Sequence, residues 1–248
     1  MGVHADPAER RSVFIGTSGW HYKHWRGPFY PQRFPADKML GFYCQYFDTV
    51  ELNATFYRLP PEGAATQWKK STPPGFCFAA KGSRFITHMK KLRDPDIALD
   101  RFFERIHGLG KKLGPIVFQL PPQWPADIER LQTFLDALPR RRRYAFEFRN
   151  ETWNTPAVYK ILAKRNAALC IFHLAGFQSP TELTADFTYI RLHGPGGKYQ
   201  GSYDDAALAS WARRIEQWRL KASYIYFDND QAGYAPKNAL RLKKILGF

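Results

Sequence analysis

A chain of 248 residues with 44% hydrophobic content has the size and composition of a globular protein that buries a substantial core. No apolar run is long enough to span a bilayer, and the N-terminal MGVHADPAERRS has no apolar core for a signal peptide and Asp6 where a myristoylation signal wants Ser or Thr, so no membrane partner is expected. Thirty-seven basic against 22 acidic residues, net +15, favour an anionic small molecule or nucleic acid as partner over a cationic one, although a generally basic surface gives the same balance.

Strand-like and helical patterns alternate along the chain. Residues 1–12 read as a loosely packed arm, and 13–248 as one domain. The first strand is VFIGT (13–17), followed by helical periodicity over 37–47 and the strand VELN (50–53). A helix over 62–71 leads to FCFAAK (76–81), and one over 95–113 to PIVFQL (115–120). Helix 126–138 precedes YAFEFR (144–149), and helix 155–165 precedes ALCIFH (168–173). The next connection holds Pro180 and little apolar period, which predicts a loop before YIRLH (189–193). Helix 204–219, the strand YIYFD (224–228) and helix 236–246 complete the series. Eight strands alternating with helices predict right-handed βαβ units closing into an α/β, TIM-type (β/α)8 barrel of parallel strands. A doubly wound sheet is the alternative, but no G-x-G-x-x-G or Walker-type loop follows any strand, and no cofactor is expected.

In such a barrel, side chains alternate between the interior and the helix layer, and active sites form at the strand C-termini. Tyr144, Phe146 and Phe148 suit the helix layer, which turns Ala145, Glu147 and Arg149 inward. The same parity turns Glu51, Asn53, Lys81, Gln119, Arg191, His193 and Asp228 inward, while His173 ends its strand on the parity of Leu169 and Ile171. Seven strands thus place a polar or charged residue at one end of the barrel. Buried charges in such number require pairing, and functional sites are where they gather; a salt-bridge network plugging the barrel is the bland alternative.

Helices run antiparallel to the strands, so Lys69-Lys70, Lys111-Lys112, Lys164-Arg165, Lys243-Lys244 and the run Arg140 to Arg143 belong to the opposite, bottom face. The top keeps Lys23, Arg26, Arg58, Lys81, Arg84, Lys90, Lys91, Arg149, Arg191 and Lys198. The three cysteines (Cys44, Cys77, Cys170) are odd in number, widely spaced and in apolar surroundings. They read as buried reduced thiols, which suits a cytoplasmic protein.

The motifs IGTSGWHYKHWRGPFYP, VELNATFYRLP, FAAKGSRFITH, GPIVFQLPPQW, FEFRNETW, RLHGPGGKY and YFDND follow in this order across nearly the whole chain. Together they resemble the YecE-like domain-of-unknown-function family 72. The resemblance implies a TIM-type barrel and supplies no reaction. Its motifs coincide with Thr17, Ser18, Gly19, Trp20, Glu51, Asn53, Phe56, Tyr57, Lys81, His88, Gln119, Glu147, Arg149, Trp153, Arg191, His193, Gly194 and Tyr199. Where the family often shows Asn-Asn, this chain has Asp228 and Asn229.

These residues bear on several chemistries. Glu51 and Glu147 permit a glycosidase-like pair, but Lys81, Arg149 and Arg191 would hold them ionised and unsuited to a general-acid role. Glu51, Glu147, Asp228, His173 and His193, with His21 and His24, are conceivable metal ligands, yet the cations repel a divalent ion and no H-E-x-x-H or Cys-x-x-Cys pattern exists; no metal is expected. An anionic substrate fits best. Arg149, Arg191 and Lys81 suit phosphate or carboxylate, with Glu51, Glu147, His193 and Lys81 as acid-base candidates. In the loop HGPGGKYQG (193–201), Gly194, Gly196 and Gly197 would let backbone N–H groups approach an oxyanion, against the plainer reading of a flexible turn. Trp20, Trp25, Phe56, Tyr57, Trp153 and Tyr199 would rim the mouth for stacking on a nucleobase or sugar. Thr17, Ser18, Asn53, Gln119, Asp228 and Asn229 complete the expected binding set. The expectation is an enzyme on a phosphorylated or nucleic-acid substrate; a non-catalytic nucleic-acid-binding barrel is the alternative.

Overall fold

The computed structural model describes residues 12–248; the arm expected over 1–12 lies, apart from Ser12, outside the described residues. Strands β1 (Ser12–Thr17), β2 (Thr49–Leu52), β3 (Cys77–Lys81), β4 (Leu113–Gln119), β5 (Tyr144–Glu147) and β6 (Ala168–Leu174) are followed by β7 (Phe177–Gln178), β8 (Phe187–Leu192) and β9 (Ala222–Phe227). The order β1-β9-β8-β6-β5-β4-β3-β2 is parallel throughout, with β7 folded back antiparallel on β6. Eight parallel strands therefore make a nearly closed barrel, flanked by helices.

Closure falls between β1 and β2. There the backbone contributes a single bridge, Ser18 to Glu51, with the Gly19 N–H donating to the Glu51 carbonyl at 2.8 Å. The Tyr43 hydroxyl is inserted into the rest of the seam: it accepts from the Thr17 N–H at 3.0 Å and donates to the Thr49 carbonyl at 3.0 Å. Gly16 has no Cβ for a steric reason, since one would meet the Thr49 carbonyl oxygen at 2.3 Å.

Alternation along the strands produces two apolar layers. Residues such as Val50, Phe78, Ile116, Phe146 and Ile225 pack outward under the helices. The interior holds Ala79, Val117, Ala145, Ala168 and Cys170 on one side, opposite Phe187, Tyr189, Tyr224 and Tyr226. Small side chains on β3 to β6 thus leave the room that the large rings of β8 and β9 fill.

The helices are α1 (Met39–Tyr43), α2 (Ala54–Tyr57), α3 (Ala64–Lys70), α4 (Pro95–Ile106), α5 (Ile128–Ala137), α6 (Pro156–Lys164), α7 (Asp205–Trp218) and α8 (Tyr234–Ile245). Asp127, Thr155 and Asp204 cap α5, α6 and α7 through their side-chain oxygens. Two expected helices are shorter than their apolar period suggests. The one expected over 95–113 ends at Ile106 and continues as a 3-10 turn to Lys112, because Gly110 takes φ 57° and a Cβ on Gly108 would sit 2.5 Å from Thr66 Oγ1. The one expected over 37–47 begins as a 3-10 turn, Ala36–Lys38. The short α2 and a π-helical turn, Phe85–Met89, follow β2 and β3 without a sequence signal; both sit at the top of the barrel. The connection between β6 and β8 forms a hairpin, with no helix, as its Pro180 and weak period predict.

Candidate functional site

The interior parity brings charged side chains of β2, β3, β5, β8 and β9 to one level at the strand C-termini. Arg191 is their hub and is fully buried. Its Nη2 lies 2.7 Å from Glu51 Oε1 and 3.5 Å from Asp228 Oδ2, and its Nη1 donates at 2.7 Å to Glu147 Oε2. Glu51 also accepts from Ser18 Oγ at 2.6 Å and from Tyr189 Oη at 2.6 Å, so three side chains occupy its two oxygens. Glu147 Oε1 takes Arg149 Nε, and Arg149 Nη2 reaches His193 Nε2 at 2.9 Å. A guanidinium only donates, so Nε2 accepts; the His193 proton then sits on Nδ1, 3.0 Å from Asp228 Oδ2. A continuous chain results: Glu147, Arg149, His193, Asp228, Arg191 and back to Glu147.

Lys81 stands apart from this ring of pairs. It ends β3 with 5% exposure, its Nζ 4.2 Å from the centroid of the Phe56 ring, and among the described residues no carboxylate lies within 4.0 Å of it. Burial, reinforced by the Arg191 charge, brings its ammonium down to about 8, against the pull of Glu147, Glu51 and Asp228. Burial likewise brings the neighbouring His88 down to about 4, with Lys81 and Arg84 adding to the effect. For Glu147, burial alone would raise the carboxyl; the Arg149 charge, then Arg191, outweigh it and hold the group well below the usual carboxylate range. Asp228 is held low against its burial by the His193 hydrogen bond, with the Arg191 charge adding to the effect. Burial, then the Glu147 charge, pushes the Cys170 thiol well up, so it stays protonated although its Sγ is 3.9 Å from Glu147 Oε2.

Two open spaces flank the cluster. Arg149 with Phe148, Asn150 and Phe172 lines a cleft of about 370 Å³. Trp20, Tyr22, Asn53, Tyr57 and Trp68 line an aromatic pocket of about 410 Å³. The buried Asn53 Oδ1 has no hydrogen-bond donor among the described residues.

Residues 14–248 match the family described as "Protein of unknown function DUF72". The chain belongs to the DUF72 family. It is 26% identical over 275 residues to the UPF0759 protein YunF of Bacillus subtilis (strain 168), with 94% of each chain covered. Its fold is similar to that of a DUF72 family protein from Thermotoga maritima MSB8, at TM-score 0.86, 27% identity, and coverage of 96% of this chain and 100% of that one. A DUF72 family protein from Enterococcus faecalis V583 shares the fold at TM-score 0.81 and 18% identity, over 95% of this chain and 96% of that one.

In this DUF72 barrel the structure brings Glu51, Lys81, Glu147, Arg149, Arg191, His193 and Asp228 together, with Gln119 Oε1 3.5 Å from Arg191 Nη1. Tyr57 (75% exposed) and Tyr199 (38%) lie at the surface, the latter edge-on to His193. Other expected members are placed elsewhere. Trp153 is fully buried in the helix layer, stacked on Phe148 and donating to the Trp124 carbonyl, so it has no surface to offer a ligand. Trp25 is also fully buried, its Nε1 held by Asp230. Thr17 is spent on the seam with Tyr43, and Phe56 forms the surface beneath Lys81. Asn229 is buried and donates to Gly201 O and Asn238 Oδ1, fixing the loop after β8. Gly194 gives its N–H to Tyr203 Oη, so that amide is not free for an oxyanion; its φ of 116°, and the Gln200 carbonyl oxygen 2.2 Å from where a Cβ would stand, require glycine there. His173 faces the helix layer and pairs with Tyr203, while His24 reaches Asp230. No group of three or more His, Cys, Asp or Glu among the described residues is arranged to hold a metal ion.

Sequence reasoning did not place Tyr189 beside the cluster, and read Cys170 only as a buried reduced thiol. Both were within reach of parity: Tyr189 lies two residues before Arg191, and Cys170 two before Phe172, which lies under Arg149. Asp230 carries no such signal, because it belongs to a loop whose direction only the packed barrel sets.

Proposed function

We propose that this DUF72 chain is an enzyme acting on a phosphorylated substrate at the C-terminal mouth of the barrel, with Lys81 and the Asp228–His193 pair moving protons. The observation that carries this reading is Lys81: a lysine 5% exposed, without a carboxylate partner among the described residues and brought down to about 8. Buried lysines are ordinarily paired, and a lysine that sheds its proton near neutrality serves as a base or nucleophile when free and as an anion-binding cation when charged. Asp228 orients His193 through Nδ1, which leaves Nε2 as the acceptor that faces Arg149. A substrate anion that draws Arg149 away would release Nε2 as a base. Glu51 and Glu147 have a different part. Their oxygens are occupied by Arg191 and other donors, so they serve as fixed counterions. Arg191, fully buried, holds the cluster together and does not touch ligand. The clamp on the anion is therefore Lys81 with Arg149, and the aromatic pocket at Trp20 and Tyr57 suits an attached ring.

The test combines binding with turnover. Lysine-selective methylation and carbon NMR should show one amine titrating near 8, and inorganic phosphate should raise that value by placing an anion beside the ammonium. Lys81→Met should remove the signal, and with it any hydrolysis of p-nitrophenyl phosphate or its bis-ester. A titration blind to phosphate would overturn the reading. Phosphate binding with no turnover of any ester in a broad phosphomonoester and diester panel would instead favour a non-catalytic nucleic-acid-binding barrel.

A further inference from the structure

The six cations that gather at the bottom of the barrel have no part in the reading above. A cavity of about 520 Å³ opens at the strand N-termini, where Lys69, Lys111, Lys112, Arg141, Arg142 and Arg143 line it together with the starts of β3 and β4. No Asp or Glu lines it, and none of the six lies within 4.0 Å of a carboxylate among the described residues. At the mouth, by contrast, Arg149 and Arg191 are matched by carboxylates. Cys77 and Lys81 begin and end the same strand, so the two places are separated by roughly 13 Å of strand.

Helix macrodipoles account for only part of this cluster. Lys112 does serve the backbone, its Nζ donating to the carbonyls of Lys69 and Thr72 at 2.8 and 2.6 Å. Arg143 is held in place differently: its Nη1 donates to Tyr224 Oη at 2.6 Å, and its guanidinium lies over the Phe187 and Tyr224 rings. Tyr224 is itself stacked on Phe14 at 4.9 Å. One guanidinium is thus fixed at the cavity floor with most of its five donors uncommitted. Arg141, Arg142 and Lys111 stand exposed around it. Several converging, unneutralised cations around one preordered arginine match several linked phosphates better than one.

We propose that this bottom cavity is a binding site for a run of consecutive phosphates, separate from the C-terminal mouth. The same chemistry is presented by a free oligophosphate and by a nucleic-acid backbone, and the experiment separates the two sources. Calorimetric titrations use tripolyphosphate and, in a second arm, a short single-stranded oligonucleotide, each at about 50 and 200 mM salt, where phosphate contacts weaken by counterion release. The double variant Arg141→Ala, Arg142→Ala and the single variant Lys111→Ala change exposed side chains, and Lys81→Met controls for the mouth. The expected result is tripolyphosphate binding at this cavity weakened about tenfold or more in the double variant, to a lesser degree in Lys111→Ala, and persisting in Lys81→Met, which removes only the clamp at the mouth. Tighter oligonucleotide binding with the same pattern of loss identifies a nucleic-acid backbone as the source; tripolyphosphate binding alone identifies a free oligophosphate. Absence of binding in both arms, or full binding in the double variant and loss in Lys81→Met, overturns the site. Because Lys81 is untouched in the bottom variants, failure here leaves the proposed activity at the mouth standing, and the converse holds.

Discussion

Lys81 and Arg191 show how two buried cations on one face diverge. Arg191 sits among three carboxylates and remains charged. Lys81 has none within reach among the described residues, and desolvation dominates it. The consequence for stability has a definite sign. Lysine titrates at 10.5 when unperturbed and at about 8 here. Below pH 8 both folded and unfolded chains hold the proton, and the fold bears a burial cost on the order of 3 kcal/mol. Between pH 8 and 10.5 the unfolded chain holds a proton that the folded one has released, so the contribution improves as pH rises. Lys81→Met is therefore expected to be more stable than wild type at pH 7, with the gap closing by pH 10.5. Urea midpoints of both proteins across that range check this, and a gap that does not move with pH would contradict a lowered lysine.

At the scale of elements, the seam between β1 and β2 is where the barrel closes with the fewest backbone hydrogen bonds. The strands meet through one bridge, and the Tyr43 hydroxyl supplies both a donor and an acceptor in the gap. Tyr43 comes from α1, so a helix completes the sheet. Tyr43→Phe removes that hydroxyl and leaves the Thr17 N–H and the Thr49 carbonyl unpaired in a buried place. The expected cost is about 1–3 kcal/mol, read as a lowered urea midpoint. Faster amide exchange at Thr17 should accompany it, with exchange in β4 and β5 unaffected.

For the whole molecule, the mouth network links four strands, β2, β5, β8 and β9, through the ion pairs of one guanidinium. Removing Arg191 strands Glu51 and Glu147 without their shared cation. Arg191→Met is expected to cost about 3–5 kcal/mol near neutral pH. The acid limb of stability carries the same signature. Glu147 is held below its ordinary 4.5 and Asp228 below its ordinary 3.8, so each contributes stability above those values that is lost as pH falls through the folded value. Wild type should lose stability steeply below about pH 4.5, and Arg191→Met should flatten that limb, as measured by denaturant melts between pH 2 and 7. A variant that keeps the wild-type slope would show that Arg191 does not set those carboxyls.

The sequence alone determined the eight-stranded alternation, because a period of two in runs such as YAFEFR has one apolar face to bury. It also determined which residues face the interior, since a one-residue slip would put Tyr144, Phe146 and Phe148 there instead. That is why Glu51, Lys81, Glu147, Arg191 and His193 could be named together before any contact was known. Pairing was not legible. Glu51 and Arg191 stand 140 positions apart, and whether a cation meets a carboxylate, a ring or solvent depends on how far neighbouring strands are staggered. Tertiary structure alone decided that Arg191 is an internal counterion, that Lys81 is left without one among the described residues, and that Trp153 and Trp25 are buried structural rings. It also decided that the Gly194 amide belongs to Tyr203. Loops follow no period, so their direction is set only when the elements on either side have packed.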